Sequence, residues 1–268
     1  MTTGRSNAGV AGMPAVLTAL VFALVLVSTP AFTQAPVSAP AGATTATGAV
    51  GTGAPSGAAT LLDRYFEGLK TMRCEFQQRI VDARGQDVEA GAGVLLVQRP
   101  GRFRWEYAAR NGTDPAGAVA AGHSAVGDRQ AGGGRGQILV ADGRNLWFYD
   151  RELMQVTVKP VTAALSATPM ALLSGSDAEL HAAFEIGAAP AHDGLEWVQV
   201  VPRNAEADFS RAQLGFKSGQ LVRMVIDDKL GQILTLDLIH SQRNVTLAAA
   251  EFRFQPPAGA DVIGTPES

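Results

Sequence analysis

Two hydrophobic periods divide the chain downstream of residue 58. From about Ala58 to Met72, Leu62, Tyr65, Phe66 and Leu69 recur at spacings of three and four, while Asp63, Arg64, Glu67 and Lys70 fill much of the remainder. One apolar stripe on an otherwise charged surface predicts an amphipathic helix. Beyond it the period shortens to two, the spacing at which alternate side chains share one face of a strand. Strands are predicted over Cys74 to Val81, Glu89 to Gln98, Phe103 to Ala108, Gln137 to Ala141, Asn145 to Asp150 and Met154 to Lys159. In the third, Phe103, Trp105 and Tyr107 fall on one face, with Arg102, Arg104 and Glu106 on the other. In the last, Met154, Val156 and Val158 share a face. Turns are predicted at Asp82-Ala83-Arg84-Gly85 and at Asp142-Gly143, since Asp-Gly between apolar strands signals a hairpin.

The alternation breaks between Thr162 and Ala183. Leu165, Met170, Leu172, Leu173 and Leu180, interrupted by Thr168-Pro169 and Gly175, read as one or two short apolar helices. Thr168 would be an N-cap and Pro169 the first helical residue. Strands resume at Phe184 to Ala188, Leu195 to Val201, Arg211 to Phe216, Leu221 to Asp227, Ile233 to His240 and Thr246 to Phe254. Lys217-Ser218-Gly219 and Lys229-Leu230-Gly231 supply hairpin turns. Short turns between consecutive strands imply an antiparallel meander of roughly ten or eleven strands. An open sheet of that size curls, and the helical segments can cover its concave side.

The ends and one internal stretch have a different character. A single cation, Arg5, precedes an apolar run from about Pro14 to Val27, followed by Ser28-Thr29-Pro30-Ala31 and, shortly after, Ala35. That order, with an apolar core shorter than the ~18 residues of a membrane span, reads as a cleavable secretory signal over residues 1–35. Cleavage after Ala31 and after Ala35 both fit, and an uncleaved anchor is the alternative. No Cys lies near the signal exit, so the chain is not expected to become lipid-anchored itself. Residues 36–58 are Ala, Gly, Pro and Thr-rich and form a leader with too little apolar surface to fold. Residues 110–136, which include His123, have the same composition and read as an insertion at a hairpin tip. The remainder, 59–264 with a tail at 265–268, suits one domain.

Composition excludes more than it assigns. At 46% apolar residues and a formal net charge of -3, the chain has no basic field for nucleic acid. One Cys, Cys74, in an exported chain leaves no internal disulfide and reads as a small buried hydrophobe. His123, His181, His192 and His240 lack metal-ligand spacing. Ser174-Gly175-Ser176 and Ser218-Gly219 form no nucleophile elbow, and Asp227-Asp228 sits at a probable turn. Neither an enzyme, a metal nor a cofactor is expected. Bulky side chains clustered on strands suggest instead a protein that holds something apolar.

The order of motifs resembles the LolA family, periplasmic carriers of outer-membrane lipoproteins. The matching features begin with the N-terminal helix, Phe76-Gln77-Gln78 and Arg99-Pro100-Gly101-Arg102-Phe103-Arg104-Trp105. Asp142-Gly143-Arg144-Asn145-Leu146-Trp147-Phe148-Tyr149, Gln155-Val156-Thr157 and Thr168-Pro169 with its leucines follow. Phe252-Arg253-Phe254-Gln255-Pro256-Pro257 and Gly259-Ala260-Asp261-Val262-Ile263 close the series. The glycine-rich insertion before Ile138 departs from the family pattern.

The resemblance implies a mainly β fold with helices: an incomplete, unclosed antiparallel β-barrel of about 11 strands, with a helical lid over a hydrophobic cavity. It implies acylated lipoproteins as cargo, taken from an inner-membrane ABC-type releasing complex and passed to an outer-membrane, LolB-like receptor. The protein would be periplasmic, soluble and monomeric. Arg99 matches the family arginine that hydrogen-bonds lid-helix carbonyls in the closed state; on the residues alone, it would equally solvate a strand end. Phe103, Trp105, Tyr107, Trp147, Phe148, Tyr149, Leu165, Met170, Leu172 and Leu173 are the candidate cavity lining, and ordinary core packing would use the same residues. Carriers or sensors of another exported lipid or glycolipid on the same fold remain the alternative.

Overall fold

Glycine ends the first helix before its apolar stripe does. In the computed structural model, which describes residues 57–109, 136–161 and 168–267, α1 spans Gly57–Phe66. The prediction ran it to Met72, but Gly68 adopts φ 65°, a left-handed conformation that halts a helix at low cost. Leu69 still packs in the core, and Met72 is buried from within the first strand. The signal segment, most of the leader and insertion, and Leu165 lie outside the described residues.

The first half of the sheet contains β1 (Thr71–Val81), β2 (Asp87–Gln98), β3 (Arg102–Ala109), β4 (Gln137–Asp142), β5 (Asn145–Asp150) and β6 (Gln155–Pro160). Two short helices follow, α2 (Ala171–Ser174) and α3 (Asp177–Ala183). The second half contains β7 (Phe184–His192), β8 (Leu195–Pro202), β9 (Phe209–Lys217), β10 (Gln220–Asp228) and β11 (Ile233–Arg243), and β12 (Asp261–Ile263) ends the series. All twelve strands among the described residues form one sheet in the order β12-β6-β5-β4-β3-β2-β1-β11-β10-β9-β8-β7. The chain therefore makes two antiparallel meanders, joined where β1 pairs with β11. The sheet is unclosed: β12 and β7 are its edges, and β12 runs parallel to β6.

Two local expectations are corrected. Thr246 to Phe254 is no strand; it contains a 3₁₀ turn at Ala249–Phe252 and crosses the outer face of the sheet. Its two phenylalanines account for this. Phe252 is buried, and the Phe254 ring lies against Trp147 and Tyr149, so the segment packs across that face instead of extending an edge of the sheet. Pro169 does not begin a helix either: α2 starts at Ala171, whose N–H bonds the Thr168 carbonyl in a preceding turn.

One core fills the concave face. Phe76, Leu95, Phe103, Trp105, Leu139, Leu214, Phe216 and Leu236 come from the strands, and Leu62, Tyr65, Phe66, Leu172, Leu173 and Leu180 from the helices. Each such side chain contributes roughly 1.5–3 kcal/mol on full burial. A second, smaller cluster lies on the convex face, where Ile138, Val140, Trp147, Tyr149, Val156 and Val158 pack under Phe254 and Ala260.

Candidate functional site

The turn that joins β2 to β3 meets the helices at one side chain. Arg99 Nε donates to the Gly175 carbonyl between α2 and α3 at 2.8 Å, and Nη2 donates to the same oxygen. Nη1 donates to the Phe66 carbonyl at the end of α1 at 3.5 Å. Nη2 also pairs with Asp177 Oδ1 at the start of α3, at 2.7 Å. The guanidinium lies 4.2 Å from the Phe66 ring centroid. Its side chain is only 7% exposed, so these bonds form largely out of water, although Asp177 is mostly solvated and its ion pair adds little. Gly101 N–H donates to the Ser174 carbonyl beside it.

The helical segment is prepared for this contact. Ser176 caps α3 by accepting from the Glu179 N–H, while the Glu179 carboxylate accepts from Ser176 N–H and Oγ–H. Those bonds from Ser176, with the nearby Arg99 charge, hold the Glu179 carboxyl below its ordinary range. At Gly175 a Cβ would come within 2.8 Å of the Ala171 carbonyl, so a side chain would spoil the turn that aims its oxygen at Arg99. His181 of α3 meets Asp63 of α1 at 2.8 Å, tying the two helices together.

The inner face of the sheet also holds a cavity of ≈ 70 Å³, lined chiefly by apolar side chains. Phe103, Trp105, Leu139, Leu146 and Phe148 come from one half of the sheet, and Phe209, Met224, Ile226, Leu234 and Leu236 from the other. Met170 and Pro169 approach from the helical side. Of the candidate lining residues, Phe103, Trp105, Phe148 and Met170 therefore come together here.

The others do not. Tyr107 shares the inner face but lies outside the lining; its hydroxyl bonds Glu89, and burial followed by that carboxylate pushes its pKa well up. Leu172 and Leu173 are buried in the core rather than on the cavity wall. Trp147 and Tyr149 face the convex side, because strand alternation that turns Leu146 and Phe148 inward turns them outward. Trp147 Nε1 donates to Asp142 Oδ2 at 2.8 Å on that face. Met154 precedes β6 at φ 50° and is exposed, but its sulfur accepts from the Tyr149 hydroxyl, on the side of the sheet that carries Val156 and Val158.

Sequence reasoning missed the polar members of the lining, Thr157, Lys159, Thr168, Asp208 and Asp228. It also missed the second arginine on α1. Arg243, at the end of β11, donates to the Tyr65 carbonyl at 2.6 Å and sits 4.6 Å from the Tyr65 ring centroid. Neither set has a local signature, since curling brings their strands together. The Ser176–Glu179 box did have one, a Ser followed three residues later by Glu.

The family model for outer membrane lipoprotein carrier protein LolA matches residues 67–114 and 134–255. The chain is 34% identical over 204 residues to the outer-membrane lipoprotein carrier protein of Methylobacillus flagellatus, covering 76% of this chain and 87% of that one. It is 35% identical over 205 residues to the protein of the same name from Cupriavidus taiwanensis, covering 75% and 85%. A solved structure of a LolA superfamily protein from Nitrosomonas europaea aligns over 74% of this chain and 97% of its own, at 12% identity and a TM-score of 0.39.

Proposed function

The chain belongs to the LolA family of outer-membrane lipoprotein carrier proteins, and from that premise we propose that it ferries acylated lipoproteins through the periplasm with their acyl chains in the cavity on the inner face of the sheet. Each buried methylene gains about 0.8 kcal/mol, so a lipoprotein released from one bilayer needs its chains covered until it reaches the next. Covering them requires no bond to be made or broken. The carrier acts by binding and release.

The observation that supports this reading is one inner face of the sheet that carries both an apolar cavity and the helices clasped by Arg99. A guanidinium carries five donors in a rigid fork and stays charged, so one side chain caps carbonyls on separate helices. At ≈ 70 Å³ the cavity is far below the ~300–1,000 Å³ of ordinary ligand sites, so acyl chains require the core to open, and the helices packed into that core are the part able to move. Arg99 is then a latch: it holds the empty carrier shut and yields when chains enter. Cargo would come from an ABC-type releasing complex at the inner membrane and leave to a LolB-like receptor at the outer membrane. Among the described residues no helix is long and apolar enough to cross a membrane. Removal of residues 1–35 on export would free a carrier domain at 59–264, with the 36–58 leader and the 110–136 insertion as accessories.

Two experiments test this. Native mass spectrometry of the protein recovered from a periplasm is expected to show a triacylated lipoprotein bound one to one; only phospholipid or glycolipid would move the function to another pathway. Arg99→Leu is expected to keep the circular dichroism of the parent while losing cargo transfer between membranes. Transfer at the parental rate would remove the latch.

A further inference from the structure

The cavity is not apolar all the way round. Thr157 and Lys159 on β6 line it from the first half of the sheet, and Asp208, just before β9, and Asp228, at the end of β10, line it from the second. These strands are far apart in the sheet order, so the charges meet across the opening between the half-sheets. Burial pushes the Asp208 carboxyl above its ordinary range, and Lys229 and Lys159 pull it back, which places Lys159 within electrostatic reach. Asp228 Oδ1 accepts from Leu230 N–H and Gln232 N–H and is fixed by its hairpin.

Resting on the carrier reading, we propose that Lys159 and Asp208 form a polar dock for the ester- and amide-rich junction at which the acyl chains of a lipoprotein join its polypeptide. The chains would enter the cavity, and the polypeptide would leave between the half-sheets. The chemistry matches. An ammonium offers three donors to ester and amide carbonyls, and a carboxylate accepts from an amide N–H. The junction presents both kinds of partner on a neutral group. A phosphate headgroup would instead meet two carboxylates beside the one ammonium of the lining, so the rim favours acylated peptide over anionic phospholipid. An apolar cavity alone cannot make that distinction, because the chains of both lipids are the same.

The test compares Lys159→Met and Asp208→Asn with the parent, using two probes: a synthetic triacylated cysteine peptide and the neutral dye N-phenyl-1-naphthylamine. The dye has no junction to dock. Each substitution is expected to weaken the lipopeptide about three- to tenfold, the worth of one hydrogen bond to a partly solvated charge, and to shift dye affinity by clearly less. Equal loss for both probes would reveal a merely structural pair and overturn the proposal, as would lipopeptide affinity unaltered in both variants. A parent protein that binds the dye but no lipopeptide would overturn the carrier reading itself, a different result from a dock that fails to discriminate.

Discussion

At the residue scale, chemistry here depends on which neighbours a side chain is given. Arg99 was legible from its motif, Arg-Pro-Gly-Arg-Phe-Arg-Trp, but its acceptors were not: Gly175 lies 76 residues away and Phe66 33. The aromatics show the converse. Alternation along β5 was legible, yet it cannot say which of two faces is inner, and so Trp147, Phe148 and Tyr149 could not be separated until the convex cluster was seen. Cys74 was read as a buried hydrophobe, and it is almost fully covered. Burial pushes its thiol up to about 12, while a bond with Ser241 pulls the other way. Since only the thiolate attacks, the native protein is expected to resist a disulfide reagent at neutral pH and to yield one thiol per chain in denaturant. Rapid labelling of the folded protein would mean that β1 opens readily, and would contradict the packing.

At the element scale, helix and strand ends were the least legible. The α1 stripe continues to Leu69 in sequence, but Gly68 had already stopped the helix. Asn244 then holds the exit of α1, with its amide group bonded to Lys70 N–H and the Gly68 carbonyl, and Arg243 holds Tyr65. The α2–α3 segment depends, beyond core packing, on Arg99, the Gly101 to Ser174 and Arg203 to Ala183 bonds and the His181–Asp63 pair. A seven-residue helix such as α3 is unstable alone, so its cap matters. Ser176→Ala is expected to cost about 1 kcal/mol in denaturant melts, with faster amide exchange confined to 177–183. Glu179→Gln keeps a side-chain acceptor and is expected to cost less. If both were silent, the box would not be what holds the helix at Arg99. The stretch from Thr246 to Phe254 has a related cause: its short alternation also suits a ladder strand, whereas Trp147 and Tyr149 leave an apolar surface on the outer face for Phe254 to cover.

At the scale of the whole molecule, an unclosed sheet lets one fold be both rigid and able to open. β1 and its partners β2 and β11 join two meanders at the centre of the sheet, and their register is pinned where Gly93 passes the Phe76 ring and the Glu106 carbonyl too closely for any Cβ. Change is cheaper at the helices. A charge-assisted hydrogen bond contributes about 1.5–3 kcal/mol, so losing the Arg99 bonds would raise the open population by about one to two orders of magnitude. Chains that gain free energy only in the open form would shift the same equilibrium. Hydrogen exchange can locate the motion. On binding a triacylated peptide, amides of α2 and α3 are expected to lose protection relative to the empty protein, whereas those of β1, β2 and β11 keep theirs. Arg99→Leu without ligand is expected to give the same pattern in weaker form. If cargo instead loosened β1 against β11, the two half-sheets would be the moving parts, and the helices would be a cover rather than a latch-held lid.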